Sequence, residues 1–217
     1  MSFNPADNIQ DLQNFGEFGG VNPSISDSST YTFMAAKTMA DTFEGNTDGC
    51  HLYSRHTTPS NLCLGEALAA MEGTETANVS ASGMGAITPV LLQLCGAGDH
   101  IVSSRTIYGG TYAFLKNFTP RLAIQTSFVD ITNLEIVEAS ITENTKVLYC
   151  ESVSNPLLEV ADIKGLAALA KKHRLTLVVD NTFSPLSISP IQLGADVVVH
   201  SLTKFINGSS DAVGGVV

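Results

Sequence analysis

From Ala77 to Lys204 short apolar runs alternate with stretches of helical period, and this alternation leaves few architectures open. Short strands are expected over 77–80, 100–103, 123–129, 146–150, 175–179 and 197–199. Apolar residues recur at helical spacing over 60–71, 83–94, 110–117, 133–140 and 161–173. The last of these is the clearest, with Ile163, Leu166, Ala167 and Ala170 on one face. Ser60 is expected to cap the first helix and Gly73 to close it. Repeated βα units of this length give an α/β fold with a mostly parallel sheet covered by helices. Ligands of such sheets bind just beyond the carboxyl ends of the strands.

The most informative strand end is Ala195-Asp196-Val197-Val198-Val199-His200-Ser201-Leu202-Thr203-Lys204. A β-branched run delivers two hydroxyls and an amine within four residues. Ser201 and Thr203 suit a phosphate, and Lys204 suits a phosphate or an aldehyde. Upstream, the run Leu175 to Val179 ends in Asp180. If the two strands are neighbours, one ligand meets a carboxylate and an amine. Pyridoxal phosphate needs both, a lysine for its aldehyde and an acid for its pyridinium nitrogen. A lone lysine past a strand is usually a surface lysine, and a lone Asp there usually begins a turn. Together at this spacing they favour the cofactor. The amine must be neutral to react, and burial near positive charge is expected to lower its pKa.

Other strand ends add weaker signals. Ser82-Gly83-Met84-Gly85 lies between a strand and a helix, where free amides attract a phosphate; the dinucleotide fingerprint GxGxxG is absent. Tyr108-Gly109-Gly110 could stack a phenol on a flat ring, although a core tyrosine fits equally well. Tyr53 and Arg55 could bind a phosphate, and Asn155-Pro156 signals a turn. The five histidines show no metal-ligand spacing, so no metal is expected.

Residues 1–58 show little periodicity beyond a short helical stretch near 31–41, and read as an arm packing on a neighbouring subunit. Residues 59–217 read as the cofactor-binding domain. The net charge of −10 and the lack of a basic patch argue against nucleic acid. No apolar run has the length of a membrane span, and the first residues lack the pattern of a signal peptide. Cys50, Cys63, Cys95 and Cys150 have no paired spacing, which reads as reduced thiols in a cytoplasmic protein. The apolar end, Val213 to Val217, reads as the interior of a longer polypeptide.

Six ordered motifs carry a family resemblance: YSR (53–55), ASGMGAI (81–87), YGGTY (108–112), ESVSNP (151–156), VVDNTF (178–183) and ADVVVHSLTKFINGSSD (195–211). The chain resembles the pyridoxal-phosphate enzymes of cysteine and methionine metabolism. The resemblance implies the large domain of a type I aminotransferase-like fold in a homotetramer made of dimers, with active sites shared across a dimer interface. It implies that Lys204 carries the cofactor and shuttles protons, Asp180 pairs with the ring nitrogen and Tyr108 stacks on the ring. Gly83, Met84, Ser201 and Thr203 would hold the phosphate, with Tyr53 and Arg55 arriving from a neighbouring subunit. Asn155 would lie near the cofactor's phenolic oxygen and the substrate. Methionine γ-lyases typically carry a cysteine where this chain has Gly110. The family's small carboxyl-terminal domain, with the arginine that grips the substrate carboxylate, is expected to be absent.

The expected reaction is C–S cleavage, by β- or γ-elimination, on cystathionine, methionine or a related amino acid. A γ-replacement enzyme of the cystathionine γ-synthase or sulfhydrylase type is the alternative. Ser201 to Lys204 also matches the SxxK motif of a serine hydrolase, but no KTG or SDN companion follows. A fragment without catalysis of its own is the remaining reading.

Overall fold

The computed structural model describes residues 3–12, 16–46 and 49–217. Seven strands form one sheet: β1 (Val79–Ser80), β2 (His100–Ser104), β3 (Gln125–Val129), β4 (Thr145–Glu151), β5 (Thr176–Asp180), β6 (Val197–Ser201) and β7 (Gly215–Val216). Their order is β1-β7-β6-β5-β4-β2-β3. The five strands from β3 to β6 pair in parallel, and β7 runs antiparallel to both β6 and β1. The order reverses between β2 and β4, since β3 lies beyond β2 on one side and β5 and β6 beyond β4 on the other. A crevice is expected there, outside the carboxyl ends.

The central strands are buried on both faces, so their apolar residues alternate between two cores. Leu148, Cys150, Leu177, Val179 and Val198 pack on α6 (Leu134–Ala139) and α7 (Ile163–His173). Val147, Tyr149, Val178 and Val199 face α4 (Gly83–Leu94), through Ile87 and Leu91, and Leu115 in the π-turn that continues α5 (Gly109–Ala113). A smaller cluster joins α3 (Pro59–Glu72), through Leu68 and Met71, to Leu202 and Val216.

Several boundaries differ from expectation for local reasons. Thr58, not Ser60, caps α3: its Oγ1 accepts from the Asn61 amide at 3.1 Å, and Pro59 occupies the first helical position. The Ser60 hydroxyl instead accepts from the Ser26 amide at 2.7 Å and ties the arm to the helix. Gly73 closes α3 in the left-handed conformation, as expected. Strand β3 begins at Gln125 because Ala123 adopts a left-handed φ at the end of a 3₁₀ turn. The arm carries more order than its sequence announces. It contains α1 (Pro5–Asp11) and α2 (Ala36–Phe43), and Asn8 donates to the Ala70 carbonyl of α3 at 3.2 Å. Phe18, Val21, Ile25 and Met34 nevertheless stand almost fully exposed. Among the described residues no helix is long and apolar enough to cross a membrane, and no cluster of three or more His, Cys, Asp or Glu could hold a metal.

Candidate functional site

Strands β5 and β6 are neighbours in register, with Asp180 opposite Val199. Asp180 and the segment Ser201–Lys204 therefore leave adjacent strands at the same edge. The Asp180 carboxyl is 5% exposed and faces the α4 side of the sheet. Its Oδ1 accepts from the Thr182 amide at 2.9 Å and its Oδ2 from the Tyr149 phenol at 3.3 Å. Burial pushes its pKa up; the Thr182 bonds, the His200 ring and the Tyr149 bond only partly oppose that. A buried carboxylate with no ion pair among the described residues is costly. A cation against it, such as a protonated ring nitrogen, would remove that cost.

Thr182 continues the chain of contacts, accepting at Oγ1 from the Ser201 amide at 2.7 Å. The start of α4 lies against the same strand end. Ser82 caps the helix by accepting from the Gly85 amide at 2.9 Å, and the first-turn amides of Gly83 and Met84 have no carbonyl partner within the helix. A Cβ on Gly83 would stand 2.6 Å from Ser201 Cβ and 3.1 Å from its Cα, so the close approach requires glycine. Gly83→Ala is expected to force α4 away from β6 at a cost of about 1–3 kcal/mol, read from thermal unfolding of the cofactor-free chain. Two free amides and the Ser201 hydroxyl so lie together at the start of a twelve-residue helix, groups of the kind that suit an anion.

Thr203 lies one turn residue further, but its hydroxyl is engaged. It donates to the Gly214 carbonyl at 3.3 Å and accepts from the Gly214 amide at 3.2 Å. Lys204 is exposed in the turn after β6, in contrast to the burial expected for a reactive amine. The turn, rather than the strand, carries it, and its amide donates to the Ser201 carbonyl at 3.3 Å. Tyr108 follows β2 with its ring half exposed, and that ring folds back over Gly110. A Cβ there would meet Tyr108 Cε1 at 2.5 Å, so the absence of a side chain at 110 permits this ring position. Asn155 is exposed in the loop after β4, and its bond to Pro156 is cis.

Tyr53 and Arg55 stand apart from this group. Tyr53 bridges to Thr30 within the arm, and the Arg55 guanidinium sits 4.9 Å from the Tyr53 ring centroid. Among the described residues no hydrogen bond or ion pair joins either side chain to the strand-end cluster. Two residues given no role in the sequence reading belong to it: Tyr149, which holds Asp180, and Glu151, whose carboxylate accepts from the Tyr108 and Asn155 amides. The signal was a polar pair at i and i+2 at the end of an otherwise apolar run.

The site fits pyridoxal phosphate: an anion cradle, a buried carboxylate short of a cation, an exposed aromatic ring and an accessible amine meet at one edge of the sheet. The Ser201–Lys204 spacing spans a strand end and a turn, and nothing else supports a hydrolase.

Comparison with known proteins gives the same reading. A methionine gamma-lyase of Arabidopsis thaliana is 50% identical over 98% of this chain and 50% of its own length. An O-succinylhomoserine sulfhydrylase of Pseudomonas aeruginosa is 42% identical over 87% of this chain and 47% of its own. A Campylobacter jejuni structure described as an O-acetylhomoserine (thiol)-lyase, carrying N′-pyridoxyl-lysine-5′-monophosphate, superposes with a TM-score of 0.92 at 33% identity. It covers 99% of this chain and 54% of its own. The chain thus spans about half the length of the curated relatives it matches. With the family model of Cys/Met metabolism PLP-dependent enzymes matching residues 7–217, the chain belongs to that family.

Proposed function

We propose that this chain is the pyridoxal-phosphate-binding part of a trans-sulfuration enzyme, a C–S lyase acting by β- or γ-elimination on cystathionine, methionine or a related sulfur amino acid. The observation that carries the proposal is the buried Asp180 carboxylate in register with β6, whose end bears Ser201, Thr203 and Lys204 beside the start of α4. When bound, pyridoxal phosphate supplies an electron sink for charge developing at the substrate's α carbon.

The protein's residues do the rest. The Gly83 and Met84 amides and the Ser201 hydroxyl receive the phosphate, and Thr203 joins them by exchanging its Gly214 contacts. Asp180 keeps a proton on the ring nitrogen, while Tyr149 and Thr182 keep Asp180 in place. Tyr108 would lie along the ring face, and Asn155 would reach towards the cofactor's phenolic oxygen and the substrate. Lys204 would hold the cofactor through its amine and would serve as the base for the substrate's α proton.

The arm of residues 1–58 serves a neighbouring subunit in this reading. Its exposed Phe18, Val21, Ile25 and Met34 are the apolar surface that such packing would cover. Tyr53 and Arg55 complete the neighbour's phosphate site in a cytoplasmic homotetramer of dimers, which also suits four cysteines free of disulfides. A γ-replacement reaction is the second reading, favoured by the sulfhydrylase among the relatives.

The test is reduction of the cofactor-saturated whole protein with borohydride. The visible band should bleach and leave a pyridoxyl adduct on Lys204, located by peptide mass. An adduct on another lysine, or none, would contradict the proposal. Product analysis with L-cystathionine and L-methionine then separates elimination from replacement.

A further inference from the structure

Glu151 ends β4 at the reversal of strand order, opposite Asp180 in the register and on the same face of the sheet. It is 8% exposed and forms no ion pair among the described residues. Two carboxylates buried side by side are doubly costly, once for desolvation and once for repulsion. Burial, followed by the Asp180 charge, pushes the Glu151 pKa up to about 7 despite two amide bonds that lower it. A neutral side chain would avoid that cost, so the carboxylate calls for a structural reason.

Its two oxygens supply one. Oε1 accepts from the Tyr108 amide at 2.5 Å, 43 residues earlier, and Oε2 from the Asn155 amide at 3.2 Å, four residues later. Only a carboxylate accepts at both positions. A glutamine would present one oxygen and turn an NH₂ towards the other amide. The same two segments are fastened a second time by Glu159. Its Oε2 accepts from Thr106 Oγ1 at 2.6 Å, its Oε1 lies 3.4 Å from the Arg105 guanidinium, and its amide donates to Ser154 Oγ at 3.0 Å. Tyr108 and Asn155 therefore belong to one clasped unit across the crevice between β2 and β4.

We propose that Glu151 is a positioning residue: by holding both amides it fixes the Tyr108 ring and the Asn155 side chain at the spacing that the cofactor ring requires. The proposal rests on the cofactor reading above, and its first test does not need the cofactor. In the cofactor-free protein, Glu151→Gln should speed amide hydrogen exchange by roughly tenfold or more at whichever of Tyr108 and Asn155 is left facing the NH₂, the loss of a charge-assisted bond. The Ser152 amide, bonded to the Asp180 carbonyl, should be unchanged. If the variant does not fold, unmodified protein decides: exchange at these two amides, corrected for intrinsic rates, should lose protection as pH falls through about 7. The titratable groups around Glu151 are Asp180 on β5 and Tyr149 on the same face of the sheet, with Cys150 next to it in the chain on the other face. Of these, Tyr149 and Cys150 have pKa values raised above their ordinary ones and stay neutral over that range. In the loaded protein, Glu151→Gln should weaken the visible circular dichroism of bound cofactor and lower kcat about tenfold, with cofactor still trapped on Lys204. Unchanged exchange at both amides would overturn the clasp. Released amides with unaltered dichroism and turnover would overturn the positioning role. Failure to trap cofactor on Lys204 in unmodified protein would instead remove the cofactor reading, and the positioning role with it, while exchange still decides the clasp.

Discussion

Asp180→Asn is expected to lower kcat by about a hundredfold or more, near 2.7 kcal/mol of barrier, with KM changed only modestly. The same variant should make the cofactor-free fold more stable. Burial holds the Asp180 carboxyl above the ordinary carboxylate range, so the folded chain binds that proton more tightly than the unfolded chain does. The cost to stability is absent below the unfolded value of 3.8 and grows as pH rises through the folded value, where the folded chain must bury a charge. Asparagine carries no such penalty and still satisfies both neighbours, accepting from the Thr182 amide and donating to the Tyr149 oxygen. Thermal unfolding at pH 7 should therefore rise by a few degrees, roughly one kcal/mol, and the low-pH gain in stability should shrink. Loss of turnover with a gain in stability marks a group kept for chemistry. Near-normal kcat would show that Asp180 does not hold the ring nitrogen's proton.

The legible parts of this chain share a physical cause. Strands β5 and β6 are covered on both faces, so their middles read as short unbroken apolar runs, and their ends are sharp because polarity returns at once. Asp180 and Lys204 stand out for that reason. The β5–β6 register then supplies the adjacency that two separate runs could only imply. Strand β7 was hidden because two residues carry no periodicity, and its pairing with β1 and β6 exists only after the chain has folded. Helix α1 carried a local signal, an Asn4 cap before Pro5, in a stretch too short for periodicity to register. Tyr149 looks like part of an apolar strand in sequence, and Glu151 only opens the ESVSNP motif. Their roles come from the register of β4 against β5 and from the fold-back of residues 105–108 onto β4, both long-range facts. Lys204 shows the limit in the other direction: the motif identifies the amine, whereas its exposure follows from the turn that carries it.

The shared-site proposal predicts recovery of activity from two inactive variants. Arg55→Ala and Lys204→Ala of the whole protein should each lose nearly all turnover, one through its phosphate contact and the other through its amine. The physical basis is the separation of Tyr53 and Arg55 from the strand-end cluster, on an arm whose large apolar residues are uncovered. If Arg55 serves the neighbour, a hybrid dimer has one site with both lesions and one with neither. Random exchange of equal amounts gives hybrids in about half of the dimers, so about a quarter of all sites should be intact. The mixture should then regain up to about that share of the unmodified turnover. If Arg55 serves its own subunit, every site in every dimer keeps one lesion, and mixing restores nothing. Subunit exchange must be shown independently, by mass spectrometry of the intact hybrid. Continued inactivity of a mixture with proven hybrids would assign Arg55 to its own subunit or to no phosphate site, and the arm would need another reason to stay uncovered.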